Sequence, residues 1–329
     1  MNIARSHLYA LRALGYTEEE ARFLYIVATH SGYFMARQFL GFTGAHWGKR
    51  TTTFWNRWKG NGDVRTEYFP KNGVVYHLFS RRLYRQIERE NLRNRRAHEI
   101  DFIKSRVGIL DFVLANQHLN YLETEPEKVK FFCASLHIDE RFLPAKLYAG
   151  SRSPRTSIRY FVDKFPMFLA PPAPVVTFTY VHNGVAPFAH FIHHLHCYLP
   201  LFRQLSRFRF VYASGRDANA EKAAAIFHSL VKIPLESDIA DDLLRYFRVR
   251  KSWDQKHYAA LSDTDLVFRN DARRKFSGER FERLYRGWKN DQLSDASIRG
   301  EIGSDNKKRI VEFERFPLNG LNREEASRG

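Results

Sequence analysis

Between Thr17 and Leu83, glycines divide the sequence into short, regular segments that few folds accommodate. Glu20 follows Thr17 by three residues, a pairing that closes a capping box at a helix start. Glu18 and Glu19 add negative charge at the positive end of the helix dipole. Ala21, Leu24, Val27 and Ala28 recur at helical spacing and predict a buried face. Gly32 then suits the left-handed residue that ends such a helix. Met35–Leu40 predicts a second short helix, punctuated by Gly41 and Gly44, and His46–Lys59 a third. Gly60-Asn61-Gly62-Asp63 forces a turn. Two β-prone runs follow, Val64–Phe69 and Val74–Leu78, joined as a hairpin by Pro70-Lys71-Asn72-Gly73.

Three short helices and then a hairpin is the order of a winged helix-turn-helix, whose third helix enters the major groove of DNA. Phe54, Trp55 and Trp58 predict the buried side of that third helix, leaving Lys49, Arg50, Thr53, Asn56 and Arg57 for the other. Arginine pairs bidentately with guanine and asparagine with adenine, so Arg50, Asn56 and Arg57 are the expected base readers. Lys49 and Thr53, with Arg65 and Lys71 in or beside the hairpin, are the expected phosphate contacts. If Arg57 reads a base edge, Arg57→Ala should cost about 1–3 kcal/mol of specific binding. The competing use of the same fold is protein–protein contact, with the polar face merely solvated.

Charge favours the nucleic-acid reading. The net charge is +17, and residues 1–106 carry 19 Lys and Arg against 9 Asp and Glu. The basic excess therefore coincides with the expected reader, as it should for a polyanion partner. Two cysteines, Cys133 and Cys197, make no disulfide framework. No apolar signal core and no run of about 18 apolar residues occurs, so a cytoplasmic protein with no membrane partner is expected.

Ser80–Arg106 is dense in arginine and reads either as a phosphate-contacting extension or as a solvated helix with internal ion pairs. Asp101–Leu122 predicts a long amphipathic helix, suited to open a second domain or to pair with its copy in a homodimer. Val129–Ala134 predicts a strand, and Ile158–Val162 with Phe165–Leu169 a hairpin around Asp163-Lys164. Ala170–Pro174 is a stiff connection. A strand at Val175–Val181, a helix at Pro187–Leu205, a strand at Arg207–Ala213 and a helix at Ala218–Val231 then predict a mixed sheet. Asp238–Arg250 and Phe276–Lys289 are further helix candidates, and the chain from Gly320 is expected to be loosely ordered.

Leu14-Gly15-Tyr16-Thr17-Glu18-Glu19-Glu20-Ala21-Arg22-Phe23-Leu24, Val75-Tyr76-His77-Leu78-Phe79 and Arg93-Asn94-Arg95-Arg96 together resemble the replication-relaxation type of protein found on plasmids and mobile elements. From Arg159 to Val231 the likeness lies in element order and in Phe165–Leu169 and Phe208–Ala213. The resemblance implies an N-terminal winged helix joined to an α/β domain related to restriction endonucleases, and DNA-associated work in gene regulation, replication or transfer. A nuclease of that type needs an Asp near one strand, then an acid and a Lys one residue apart on the next, to hold the metal that activates water. Asp163-Lys164 supplies the first part, but Val175–Val181 contains neither acid nor lysine.

His190, His193, His194, His196 and Cys197 crowd one helix. Phe188, Phe191, Ile192, Leu195 and Leu199 form its apolar stripe, with His190, His193, His194 and Cys197 expected opposite. The spacing is usable for metal ligands, but the His-Glu-x-x-His pattern is absent, and the preferred reading is an exposed polar face or an interface where imidazoles pair with acids or backbone. No nucleophile motif or phosphate-binding glycine loop occurs, so no catalytic residue, metal or cofactor is expected.

The expected fold is α+β. A winged helix-turn-helix spans 1–90, a basic connector and long helix 91–125, a degenerate endonuclease-like mixed-sheet α/β domain without catalysis 126–290, and a polar tail 291–329. The expected function is sequence-specific binding of double-stranded DNA, as a transcriptional or replication and transfer regulator of a mobile element. A metal-dependent nuclease or nickase, and a structural partner in a replication complex, are the alternatives.

Overall fold

Thr17 starts the helix its sequence predicts. Its hydroxyl accepts from the Glu20 N–H while the Glu20 carboxylate accepts from the Thr17 N–H at 2.8 Å. The computed structural model describes residues 1, 3–46, 48–69, 73–149, 156–170, 175–182, 184, 186–215, 217–231, 237–276, 279–304 and 310–318. Helix α1 (Arg5–Ala13) precedes the capped α2 (Glu18–His30), followed by β1 (Tyr33–Met35), α3 (Ala36–Thr43) and α4 (Lys49–Gly60). Strands β2 (Val64–Phe69) and β3 (Gly73–Leu78) pair antiparallel, and β1 adds on the other side of β3. A short α5 (Arg81–Gln86) closes this part.

Aromatic rings fill the space between these elements. Phe54 of α4 stacks on Phe39 of α3 at 3.8 Å between centroids, and Trp55 on Tyr76 of β3 at 4.5 Å. Phe54 is 0 % exposed and Trp58 1 %, so the predicted inner side of α4 is its inner side.

Helix α6 (Ile100–Ala115) is buried over most of its length and packs against α2, β1 and a strand of the next sheet. That sheet has the order β10-β9-β8-β7-β4, from β4 (Asn120–Tyr121), β7 (Met167–Ala170), β8 (Val175–His182), β9 (Arg207–Ser214) and β10 (Ile310–Pro317). Strands β8 and β9 run parallel, joined through α8 (Phe188–Phe202), while β7 runs antiparallel to β8. Phe178, Phe210 and Tyr212 share one face of this sheet with Phe191 and Phe202 of α8. Val181, Val211 and Ala213 belong instead to the core that α6 shares with the N-terminal helices.

Contacts divide the chain into two compact units, residues 1–230 with 311–329, and residues 231–310. The expected boundaries at 90 and 125 fall inside the first unit and that at 290 inside the second. The second unit is helical: α10 (Ser237–Asp254), α11 (Asp263–Lys275), α12 (Glu279–Lys289) and α13 (Asp295–Ser304) meet around Leu243, Phe247, Leu284 and Ile298. In the first, α9 (Asp217–Val231) follows β9 and places Phe227 against Phe210. Among the described residues no helix is long and apolar enough to cross a membrane.

Three expectations are corrected. The strand expected at Val129–Ala134 is helical: α7 (Glu125–Lys130) continues as a π-helical turn through Phe131–Ser135. Thr124 caps Glu127 with Pro126 in the first turn, and a helix nucleated there propagates through residues of ambiguous preference. The hairpin around Asp163-Lys164 is not formed. Strand β6 (Thr156–Tyr160) pairs with β5 (Ala145–Ala149) in a separate ribbon, while β7 joins the main sheet. Phe161 and Lys164, at φ +50 and +64, turn the chain between the two. The polar stretch after Asp291 is not a tail, because it contains α13 and β10. The stretch from Gly320, like residues 171–174, lies outside the described residues.

Candidate nucleic-acid interface

The face of α4 turned away from the rings carries Lys49, Thr52, Thr53, Asn56 and Lys59, all exposed, and the helix contains no acidic residue. Helical periodicity separates this face from Phe54, Trp55 and Trp58. Thr53 donates to the Lys49 carbonyl at 2.9 Å and Thr52 to the Gly48 carbonyl at 3.1 Å, which turns the hydroxyl lone pairs outward as acceptors. Arg50 lies on the same helix, its side chain outside the described set.

Arg57 is placed differently from the expected base reader. It donates to Glu20, and its side chain is 29 % exposed. The carboxylate that caps α2 thus also holds α4. A second carboxylate fixes the end of α4: Asp63, 0 % exposed, accepts from Tyr16 at 2.7 Å and from Arg82 at 3.2 Å. These two acids orient the helix from beneath, away from its exposed face.

In the hairpin beside α4, Arg65 is exposed and its guanidinium lies 4.2 Å from the centre of the Phe79 ring. Tyr68, on the same strand, is 78 % exposed. Lys71 falls outside the described residues.

The arginine-rich stretch after the hairpin is in part internal. Arg106, 1 % exposed, donates from Nη2 to the His30 carbonyl at 2.6 Å and to Asn94 at 2.7 Å, and from Nε to the Ser31 carbonyl at 3.1 Å. Asn94 donates to the carbonyls of Ala28 and Thr29, both at 2.9 Å. Together they satisfy the carbonyls that α2 leaves open at its C-terminus, where positive charge is favoured. Arg89 is likewise internal, paired with Glu123 at 3.0 Å. Burial and the charges of Arg106, Lys128 and Arg89 push His30 down to about 3. The sequence signal for this brace is an asparagine amid the arginines, which composition alone does not distinguish from a solvated one.

The sequence also missed a pairing between distant residues. Asp163, at the turn after β6, accepts from His194 Nδ1 of α8 at 2.8 Å and from the Tyr198 hydroxyl at 3.1 Å. His194 is therefore not on the outer side of α8 with His190, His193 and Cys197: it is 6 % exposed and lies in the buried stripe with Phe191, Leu195 and Tyr198. His193 and Cys197 approach to 3.4 Å at the surface. Among the described residues no group of three or more His, Cys, Asp or Glu is arranged to hold a metal. Neither protein-family models, nor curated proteins, nor solved structures give a match to this chain.

Proposed function

We propose that this chain binds double-stranded DNA through a winged helix-turn-helix formed by α1 to β3, with α4 in the major groove and the β2–β3 hairpin as the wing. The observation that carries this reading is the acid-free exposed face of α4, set beside a hairpin on which Arg65 is exposed. Asn56 is assigned the base contact, with Arg50 beside it in sequence. Lys49, Thr53, Arg65 and Lys71 are assigned to phosphate. Arg57 is assigned a bracing role, because its partner Glu20 already occupies it.

The resemblance to replication-relaxation proteins extends the reading to a regulator of transcription, replication or transfer on a mobile element. The nuclease reading has less support, since the Asp163 carboxylate is taken by His194 and Tyr198. Fluorescence anisotropy with the protein's own upstream DNA and a scrambled duplex, at two salt concentrations, tests the proposal. A preference for its own DNA that survives the higher salt is expected. Equal binding that collapses with salt would reduce the protein to a basic surface.

A further inference from the structure

Strand alternation gives the two faces of the β2–β3 hairpin different chemistry. The strands pair without interruption from Val64 opposite Leu78 to Phe69 opposite Gly73, so each residue takes the face of its partner. Arg65 and Glu67 lie opposite His77 and Val75, which are 1 % and 4 % exposed. Val75 shares a core with Ile103 and Val107 of α6, so Arg65 and Glu67 belong to the α6 side. Thr66 lies opposite Tyr76, whose ring stacks on Trp55 of α4, so Thr66 and Tyr68 belong to the α4 side. Glu67 is the only acid in the sequence of the two strands, and alternation removes it from the face beside α4.

Tyr68 extends that face toward the end of the hairpin. It lies opposite Val74, two residues beyond the Thr66–Tyr76 pair, which is roughly 7 Å of strand. The Tyr76 and Trp55 ring centres are 4.5 Å apart, so Tyr68 lies on the order of 10 Å from Trp55. Asn56, assigned above to a base, follows Trp55 on α4. The major groove is about 12 Å wide, so a group at this distance from the helix that enters it meets the sugar–phosphate wall and not a base edge.

Nothing within the fold accounts for the ring. Tyr68 is 78 % exposed, and among the described residues its side chain has no hydrogen bond and no ring contact. A ring so exposed contributes little by burial. A tyrosine at a wet interface offers an apolar body and one hydroxyl donor, and a phosphate oxygen is an acceptor that such a donor fits.

We propose that Tyr68 is a backbone contact of the wing, its hydroxyl donating to a phosphate beside the groove that α4 enters. The inference rests on the double-stranded-DNA reading and adds to it which face of the wing meets the duplex. The contact is neutral: unlike a lysine it neutralises no phosphate and releases no counterion.

The test is fluorescence anisotropy of the full chain with its own upstream duplex and a scrambled one, over a salt series, for the wild type, Tyr68→Phe and Tyr68→Ala. Both variants are expected to weaken both duplexes alike, Tyr68→Phe by roughly five- to tenfold, with the slope of log affinity against log salt unchanged. Urea midpoints equal to that of the wild type are expected for so exposed a position, and they separate loss of a contact from loss of fold. A Tyr68→Phe affinity within about twofold of the wild type overturns the hydroxyl contact. A loss confined to the upstream duplex also overturns it, because that marks a base contact, and so does a lowered urea midpoint, which marks a structural role. Where the wild type binds the two duplexes equally and Tyr68→Phe weakens both, the sequence-specific reading fails and the contact stands. Absence of wild-type binding to either duplex overturns both.

Discussion

Gly32 sits where backbone and packing leave one choice of residue. Its φ is +83, and a Cβ there would lie 2.2 Å from the Asn94 carbonyl oxygen. Gly32→Ala is therefore expected to cost about 3 kcal/mol or more, because backbone strain and overpacking add; urea unfolding measures it, and a loss below 1 kcal/mol would contradict this packing. Two histidines set a pH dependence. Burial, then nearby cations, hold His30 at about 3, and burial, against a backbone hydrogen bond to Asn94, holds His77 at about 4. A folded value below the unfolded one means that the unfolded chain takes up protons first as pH falls. Their contribution is fully present above about pH 6.5 and is lost as pH falls toward 4, at up to about 1.4 kcal/mol per pH unit for each histidine. Glu123, raised by burial, acts in the opposite sense nearer its own range, so the window is best read above pH 5. Urea midpoints at pH 7 and pH 5 test this, and equal midpoints would contradict it.

At the scale of the element, α4 separates two kinds of polar residue that the sequence presents alike. Asn56 is exposed, whereas Arg57, the next residue, is turned to Glu20. Asn56→Ala is expected to cost about 1–3 kcal/mol of binding to the preferred duplex and to spare nonspecific binding. Arg57→Ala is expected to lower stability by about 1 kcal/mol, through the capped start of α2, with sequence preference kept. Anisotropy and urea unfolding on the same two variants decide between these roles, and the reverse pattern would return Arg57 to the proposed base-reading set. Lys49→Ala should weaken all duplexes alike and reduce the salt slope by about one.

For the whole molecule, the long sequence separation between β9 and β10 matters. The last strand arrives after the helical unit of residues 231–310 and closes the edge of the sheet. Glu312 meets Arg209 at 2.8 Å, and Leu318 is 3 % exposed. Truncation before Ile310 should expose the β9 edge and empty the Leu318 site, costing about 3 kcal/mol or more and promoting association. Thermal unfolding with light scattering checks this; a truncated chain as stable and as monodisperse as the full one would show that β10 is dispensable.

Apart from β1, which is defined by its pairing with the distant β3, the local elements from Thr17 to Leu78 were legible because each is specified by neighbours in sequence. Thr17 and Glu20 cap within one turn, Gly32 and Gly44 take left-handed angles, and Phe54, Trp55 and Trp58 repeat at helical spacing. The same holds for β8, α8 and β9, whose apolar runs are long enough to declare their type. What depends on distant partners was not legible. Arg106 and Arg82 are both arginines of one basic stretch, yet one is buried under α2 and the other is half-exposed against Asp63. Asp163 and His194, 31 positions apart in the chain, meet only because β7 and α8 bring the turn and the helix together. Period and capping are properties of the chain itself, while burial of a charge is decided by which elements close over it.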